Sequence, residues 1–411
     1  MNQGVLGFDI GEQYSQAALL LHGEKEPVCI NYDENEDSYL LPNIACYKEH
    51  QLWYSLEANE MLCLEEGDRI GDILKNVRNH ETVVLDGAGY LYQDIFISLI
   101  LEHVKQVFKR LECLPEKIVF TLYDINPNML EALEILKKEE IFQGIEVLYT
   151  GYQNSLLSFV LNQENELWSS NVASFYYGPE GMQYFQINFT KRNTPLQIQV
   201  KHKDYKEKLD YSENEKLEKD EIFKMIASDA IGNSCLSSVF LCGTGFENGW
   251  AKESLKFLCN GRRVFLGQNL FAFGACYYGM DEKEDILVNS SERIQYDIGI
   301  IGYDGTKEQM VLIARGGKEW FDVKGVISVF LNDTKRIEFI YVNRFTNERI
   351  IETVEVGGLP KRPPRTTKLE LTVEFYDKNT GAIVIRDKGF GKLFPTTNKI
   401  YRKEFTVIKD V

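Results

Sequence analysis

A chain of 411 residues with 44% hydrophobic side chains is long enough to bury two or three cores. Its 62 acidic and 46 basic residues leave a formal charge of −16, with Lys and Arg dispersed, which argues against a nucleic-acid backbone as partner. Eight cysteines without a CxxC pair, five histidines without HxxxH spacing, and no apolar run near ~18 residues speak against a zinc ribbon, a thioredoxin-type site and a helical membrane span.

In chain order, an apolar strand ends in Gly7-Phe8-Asp9-Ile10-Gly11, and Gln16 to Leu21 returns as a second strand, so Asp and Gly stand at a hairpin tip. An acidic turn, Asp33 to Asp37, precedes Leu41-Pro42-Asn43-Ile44-Ala45. From Tyr92 to Leu111 the residues Phe96, Ile100, Val104, Val107 and Leu111 recur at helical spacing, which predicts an amphipathic helix. Lys117 to Tyr123 reads as a strand. Asn126-Pro127 is an N-cap with proline at the first helical position, opening a helix that carries Leu130, Leu133 and Leu136. Ile145 to Tyr149 is the next strand and Ser155 to Leu161 the next helix. Phe189 to Asp220 is charged and poor in apolar residues; Glu221 to Gly232 resumes as a helix.

Ser238 to Gly279 is the densest stretch. Val239 to Leu241 reads as a buried strand, and Gly243 and Gly245 bracket a turn where backbone must approach something closely. Ala251 to Leu258 follows as a helix, Val264 to Leu266 as a strand, and a last helix sets Ala272, Ala275 and Gly279 on one smooth face. A strand-to-helix glycine turn can aim backbone N–H groups at an anion. The dinucleotide fingerprint, however, needs glycine where this chain has Asn248, so a ligand loop and a structural turn both fit. After the acidic run Asp281 to Asp285 and Ile286-Leu287-Val288, the pattern from Glu292 onward is β. Leu369, Leu371, Val373 and Phe375 alternate with Lys368, Glu370, Thr372 and Glu374, then Asp377 to Gly381 turns into the return strand Ala382 to Ile385.

Asp9-Ile10-Gly11 at an N-terminal hairpin, the Gly243-Thr244-Gly245 turn and Phe273-Gly274-Ala275 resemble the actin-like ATPase superfamily, and within it the DnaK-type heat-shock chaperones. Gly358-Leu359-Pro360, the Pro363-Pro364 turn and Asp387-Lys388-Gly389-Phe390-Gly391-Lys392 resemble the β-sandwich of those chaperones in order and spacing. The resemblance implies an α/β fold: an actin-like (ribonuclease H-like) two-lobed domain over 1–280 with a reduced second-lobe insertion. A linker over 281–291 and an all-β sandwich over 292–411, without a helical lid, would follow. It would place nucleotide against Asp9, Ile10, Gly11, Gly243, Thr244, Gly245 and Gly274.

Several positions depart from that pattern. Asn59 stands where the resemblance expects the lysine of phosphoryl transfer, Gln153 where it expects the glutamate that places water, and Tyr176 where the second phosphate loop has its aspartate. Pro179 removes a backbone donor, and Glu12 and Glu180 set carboxylates beside the phosphate path. One such carboxylate at ~4 Å costs roughly 4 kcal/mol at an effective dielectric near 20. No catalytic set and no metal site are therefore expected, and binding of ATP or ADP with Mg²⁺ should be weak or absent. The expected role is protein or extended-peptide binding, or scaffolding, through the sandwich, with Trp320, Phe321 and Val323 as candidate binding residues. A divergent but working ATP-dependent chaperone and an actin-like assembly protein are the alternatives. No signal-peptide pattern opens the chain, so a cytoplasmic protein is expected, without nucleic-acid or membrane partners.

Overall fold

The computed structural model describes residues 4–32, 38–192, 195–209, 216–280, 286–304, 307–332 and 335–406. The acidic stretches 33–37 and 281–285 lie outside these. The chain forms two compact units: Met1–Lys191 with Gln199–Glu284, and Arg192–Ile198 with Asp285–Val411.

The first unit is mixed α/β and is built on two sheets of the same plan. In one, Val5–Ile10 pairs antiparallel with Tyr14–Leu20 on one side and parallel with Lys117–Leu122 on the other, and Glu146–Gly151 extends the parallel side. In the other, Asn171–Gly178 pairs antiparallel with Gly181–Thr190 and parallel with Leu236–Cys242, and Arg263–Leu266 extends the parallel side. The central strands are buried, save for the half-buried Asn171 at the start of the second, as strands covered on both faces must be. The helix Tyr152–Leu161 follows the last parallel strand of the first sheet, and Leu270–Tyr278 follows that of the second.

These two helices pack on each other because glycine lets them. A Cβ at Gly274 would come within 2.1 Å of the Ser155 carbonyl oxygen, and one at Gly7 within 2.1 Å of that of Ala272. The helix Tyr92–Lys109 buries the stripe Phe96, Ile100, Val104 and Val107 that its spacing predicts. Asn126 caps Pro127–Leu136, its side chain accepting from the Met129 N–H at 2.9 Å. The stretch 189–220 contains more regular structure than its charge suggests. Leu196–Asp204 is a strand whose Ile198 and Val200 point inward, an alternation masked by the lysines that follow.

The second unit is all-β over its C-terminal part. One sheet has the order Lys307–Ala314, Tyr296–Asp304, Arg336–Asn343, Arg349–Glu355; the other has Gly325–Leu331, Thr367–Phe375, Thr380–Asp387, Ile400–Thr406. Thr367–Phe375 alternates strictly between buried and half-buried residues, as its sequence does. No helix among the described residues is long and apolar enough to cross a membrane.

Candidate functional site

Two hairpin tips and two helix starts converge in the first unit. Asp9 stands two residues before the glycine at the tip of the first hairpin. Tyr176 stands two residues before Gly178, at the tip of the equivalent hairpin in the second sheet. Tyr152 opens the helix behind the first sheet, and Phe271 is the second residue of the helix behind the second.

The rings of Tyr152 and Phe271 stack face to face, with centroids 3.7 Å apart and planes 11° from parallel. Tyr176 meets both edge-on, at 5.6 Å and 5.7 Å. Each tyrosine hydroxyl then ends on a carboxylate. Tyr152 donates to Asp9 Oδ1 at 2.7 Å, and Tyr176 donates to Glu180 Oε2 at 2.8 Å. Gln16 donates to Asp9 Oδ2 at 3.2 Å and to the Gln268 carbonyl at 2.7 Å, tying the first hairpin to the start of the last helix. Burial raises Asp9 to about 6, against the lowering effect of its bonds from Tyr152 and Gln16. Burial, then repulsion from Glu12, raises Glu180 to about 7. Both tyrosine hydroxyls are pushed well above their usual range, burial again being the first cause, so they remain hydrogen-bond donors at any working pH.

Beside the rings the remaining cavity is about 40 Å³, room for roughly two or three waters, and its walls include Asp9, Gly11, Gly243 and Thr244. The hairpin tips close on themselves. The Gly11 N–H donates to the Tyr14 carbonyl at 3.0 Å, and the Asn43 amide donates to the Gly11 carbonyl at 2.5 Å. Pro179 and Glu180 form the two-residue turn between Gly178 and Gly181. A Cβ at Gly178 would meet the Tyr176 hydroxyl at 2.5 Å, so glycine there makes space for the Tyr176–Glu180 bond.

Outside this plug lies a cleft of about 970 Å³ whose walls include Asn59, Arg69, Lys75, Arg78, Glu12 and Glu180. Glu12 does not turn out to solvent. It is paired with Arg78 from the end of the helix Ile73–Arg78, and both side chains are largely buried. The Arg78 carbonyl in turn accepts from the Asn126 and Asn128 amides at 2.8 Å each, which fixes the end of that helix. No group of three or more His, Cys, Asp or Glu side chains is placed to hold a metal among the described residues.

Of the residues singled out from sequence, Asp9, Gly11, Gly243 and Thr244 are brought to one cavity. Ile10 points into the core instead. The close approach that Gly243 and Gly245 permit is to Tyr177: Cβ atoms there would meet its carbonyl oxygen and its ring, each at 2.4 Å. Gly274 serves the helix–helix contact with Ser155. In the second unit Trp320 and Val323 are buried, so these two belong to the interior, and Phe321 is half-buried. Tyr152, Phe271 and Arg78 are the site residues that sequence reading missed. Tyr152 lies just ahead of the helix start expected at Ser155, and nothing in local spacing distinguishes a core aromatic from one that covers an aspartate.

A family described as "Family of unknown function (DUF5716) C-terminal" matches residues 26–291. A "Domain of unknown function (DUF8552)" matches residues 293–407. No curated protein matches the chain.

Proposed function

We propose, for a chain that belongs to the DUF5716 family of unknown function, a role as a scaffold or protein-binding module built on a heat-shock-70-like plan, with its nucleotide site filled by its own side chains. Within this reading the first unit is actin-like. Its two sheets of matching order, each with a hairpin tip turned to a shared centre, support that assignment. The observation that carries the functional reading is the Tyr152–Phe271 stack, capped by Tyr176, between Asp9 and Glu180.

Phosphoryl transfer in this superfamily needs three things: carboxylates free to hold Mg²⁺ through water, glycine loops with free N–H groups, and a placed nucleophilic water. Here Asp9 is engaged by Tyr152 and Gln16, and burial raises its pKa to about 6. The Gly11 N–H is bonded within its own turn, and the second tip carries a proline and a carboxylate. A triphosphate would have to displace three packed rings and come to rest beside Glu12 and Glu180. The residues present do not fit it.

The binding role then falls to the all-β unit, whose partner in this reading is a protein or an extended peptide. The test of the closed site is turnover. Purified protein should release no phosphate from MgATP above a heat-inactivated control. Release that disappears in Asp9→Asn would overturn the reading in favour of a working ATPase.

A further inference from the structure

The strand Gly325–Leu331 is an edge. It pairs with Thr367–Phe375 on one side, and no strand joins its other side among the described residues. Its sequence, GVISVFL, has neither charge nor proline. Val326, Ser328 and Phe330 face solvent, with Val326 62% and Phe330 48% exposed, and Phe330 meets the equally exposed Phe390 edge-on at 5.6 Å. Native proteins ordinarily blunt such an edge with charge, proline or cover. The other edges of the two sandwich sheets are blunted: Arg349–Glu355 carries Glu352 at its centre, Ile400–Thr406 carries Lys403, and Lys307–Ala314 begins with Lys307 and Glu308. The Gly325 end of the bare strand lies against the Ile313 backbone, so the open part runs from Val326.

We infer that this strand is a self-association surface, pairing antiparallel with the same strand of a second copy about a twofold axis at Ser328. The side chains are self-complementary in that register. Val326 comes opposite Phe330 of the second copy and Ile327 opposite its Val329, each twice, and β-branched and aromatic cross-strand pairs are among the favourable ones. Within the open part, residues 326–330, there is no charged side chain, so no like charges meet. The same operation on Arg349–Glu355 sets Glu352 against itself, and on Ile400–Thr406 it sets Lys403 against itself, which is destabilising. Two copies each carrying −16 repel, and an uncharged strip is where that repulsion is least. Because the contact is isologous, it closes at two copies. A single strand pair buries less than a standard interface, so the dimer forms in the micromolar range and strengthens with salt.

The experiment is sedimentation equilibrium of the full chain across that concentration range, at low and high salt. Wild type should pass from monomer to dimer. Ser328→Lys, a change at an exposed position checked for folding by circular dichroism, sets two ammonium groups face to face and should weaken the dimer about tenfold or more. Ser328→Cys should give a disulfide-linked dimer on mild oxidation, above the background set by the native cysteines in wild type. A wild type that stays monomeric throughout overturns the inference. So does a dimer that Ser328→Lys leaves unchanged while Ser328→Cys fails to cross-link.

Discussion

Glu180 is held between the Tyr176 hydroxyl, which donates to it, and Glu12, whose charge repels it. A carboxyl whose folded pKa lies above its unfolded value binds more protons in the folded state. Its contribution to stability is therefore present at low pH and is lost as pH rises, here from 4.5 through about 7. Asp9 acts in the same sense between 3.8 and about 6. His103 opposes them: burial holds it down to about 3, so its contribution grows as pH rises toward 6.5. The whole-protein pH curve mixes these, and a difference measurement isolates one. Urea unfolding of Glu180→Gln against wild type should show the variant gaining about 2–3 kcal/mol relative to wild type between pH 5 and pH 8. A difference that stays flat would mean that Glu180 is not buried as described. The position of this carboxylate beside the second hairpin tip could be read from sequence. Its setting could not, because Glu12 and Arg78 lie 66 residues apart and Tyr152 lies 143 from Asp9.

The helix Leu270–Tyr278 is gripped on several sides through glycine. Gly274 fits against Ser155, Gly7 fits against Ala272, and Gly279 fits against Val5 and Val119. Small residues on this helix were legible as a smooth face, as were the N-cap at Asn126 and the stripe of Tyr92–Lys109. Each of these is a local pattern with one structural solution. The partner of a smooth face is not a local property, which is why the glycines of the last helix and of the Gly243 turn could be assigned equally to a ligand or to packing. Gly274→Ala tests the packing assignment, since overfilling a packed contact costs about 1–3 kcal/mol. Denaturant melts should show that loss. Gly89→Ala, with open space at its Cβ, should stay within about 0.5 kcal/mol of wild type. Equal effects at the two positions would argue against the close helix contact that positions Tyr152 and Phe271.

At the scale of the molecule, the order of elements and the change from mixed α/β to all-β were written in periodicities that survive without any knowledge of contacts. The division into units was less so. Arg192–Ile198 joins the second unit although it lies far upstream of the rest of it, a long-range pairing that no composition shift announces. The site at the centre of the first unit is likewise a product of assembly: two hairpin tips and two helix starts bring Asp9, Glu180 and three rings together in place of an open loop pair. Thermal unfolding with and without millimolar MgATP or MgADP distinguishes this filled centre from an open one. A ligand present at a hundred times its dissociation constant stabilises the native state by about 2.7 kcal/mol, a shift of several degrees. The filled site predicts that neither nucleotide moves the melting temperature. A reproducible rise with MgATP or MgADP, abolished by Asp9→Asn, would contradict it.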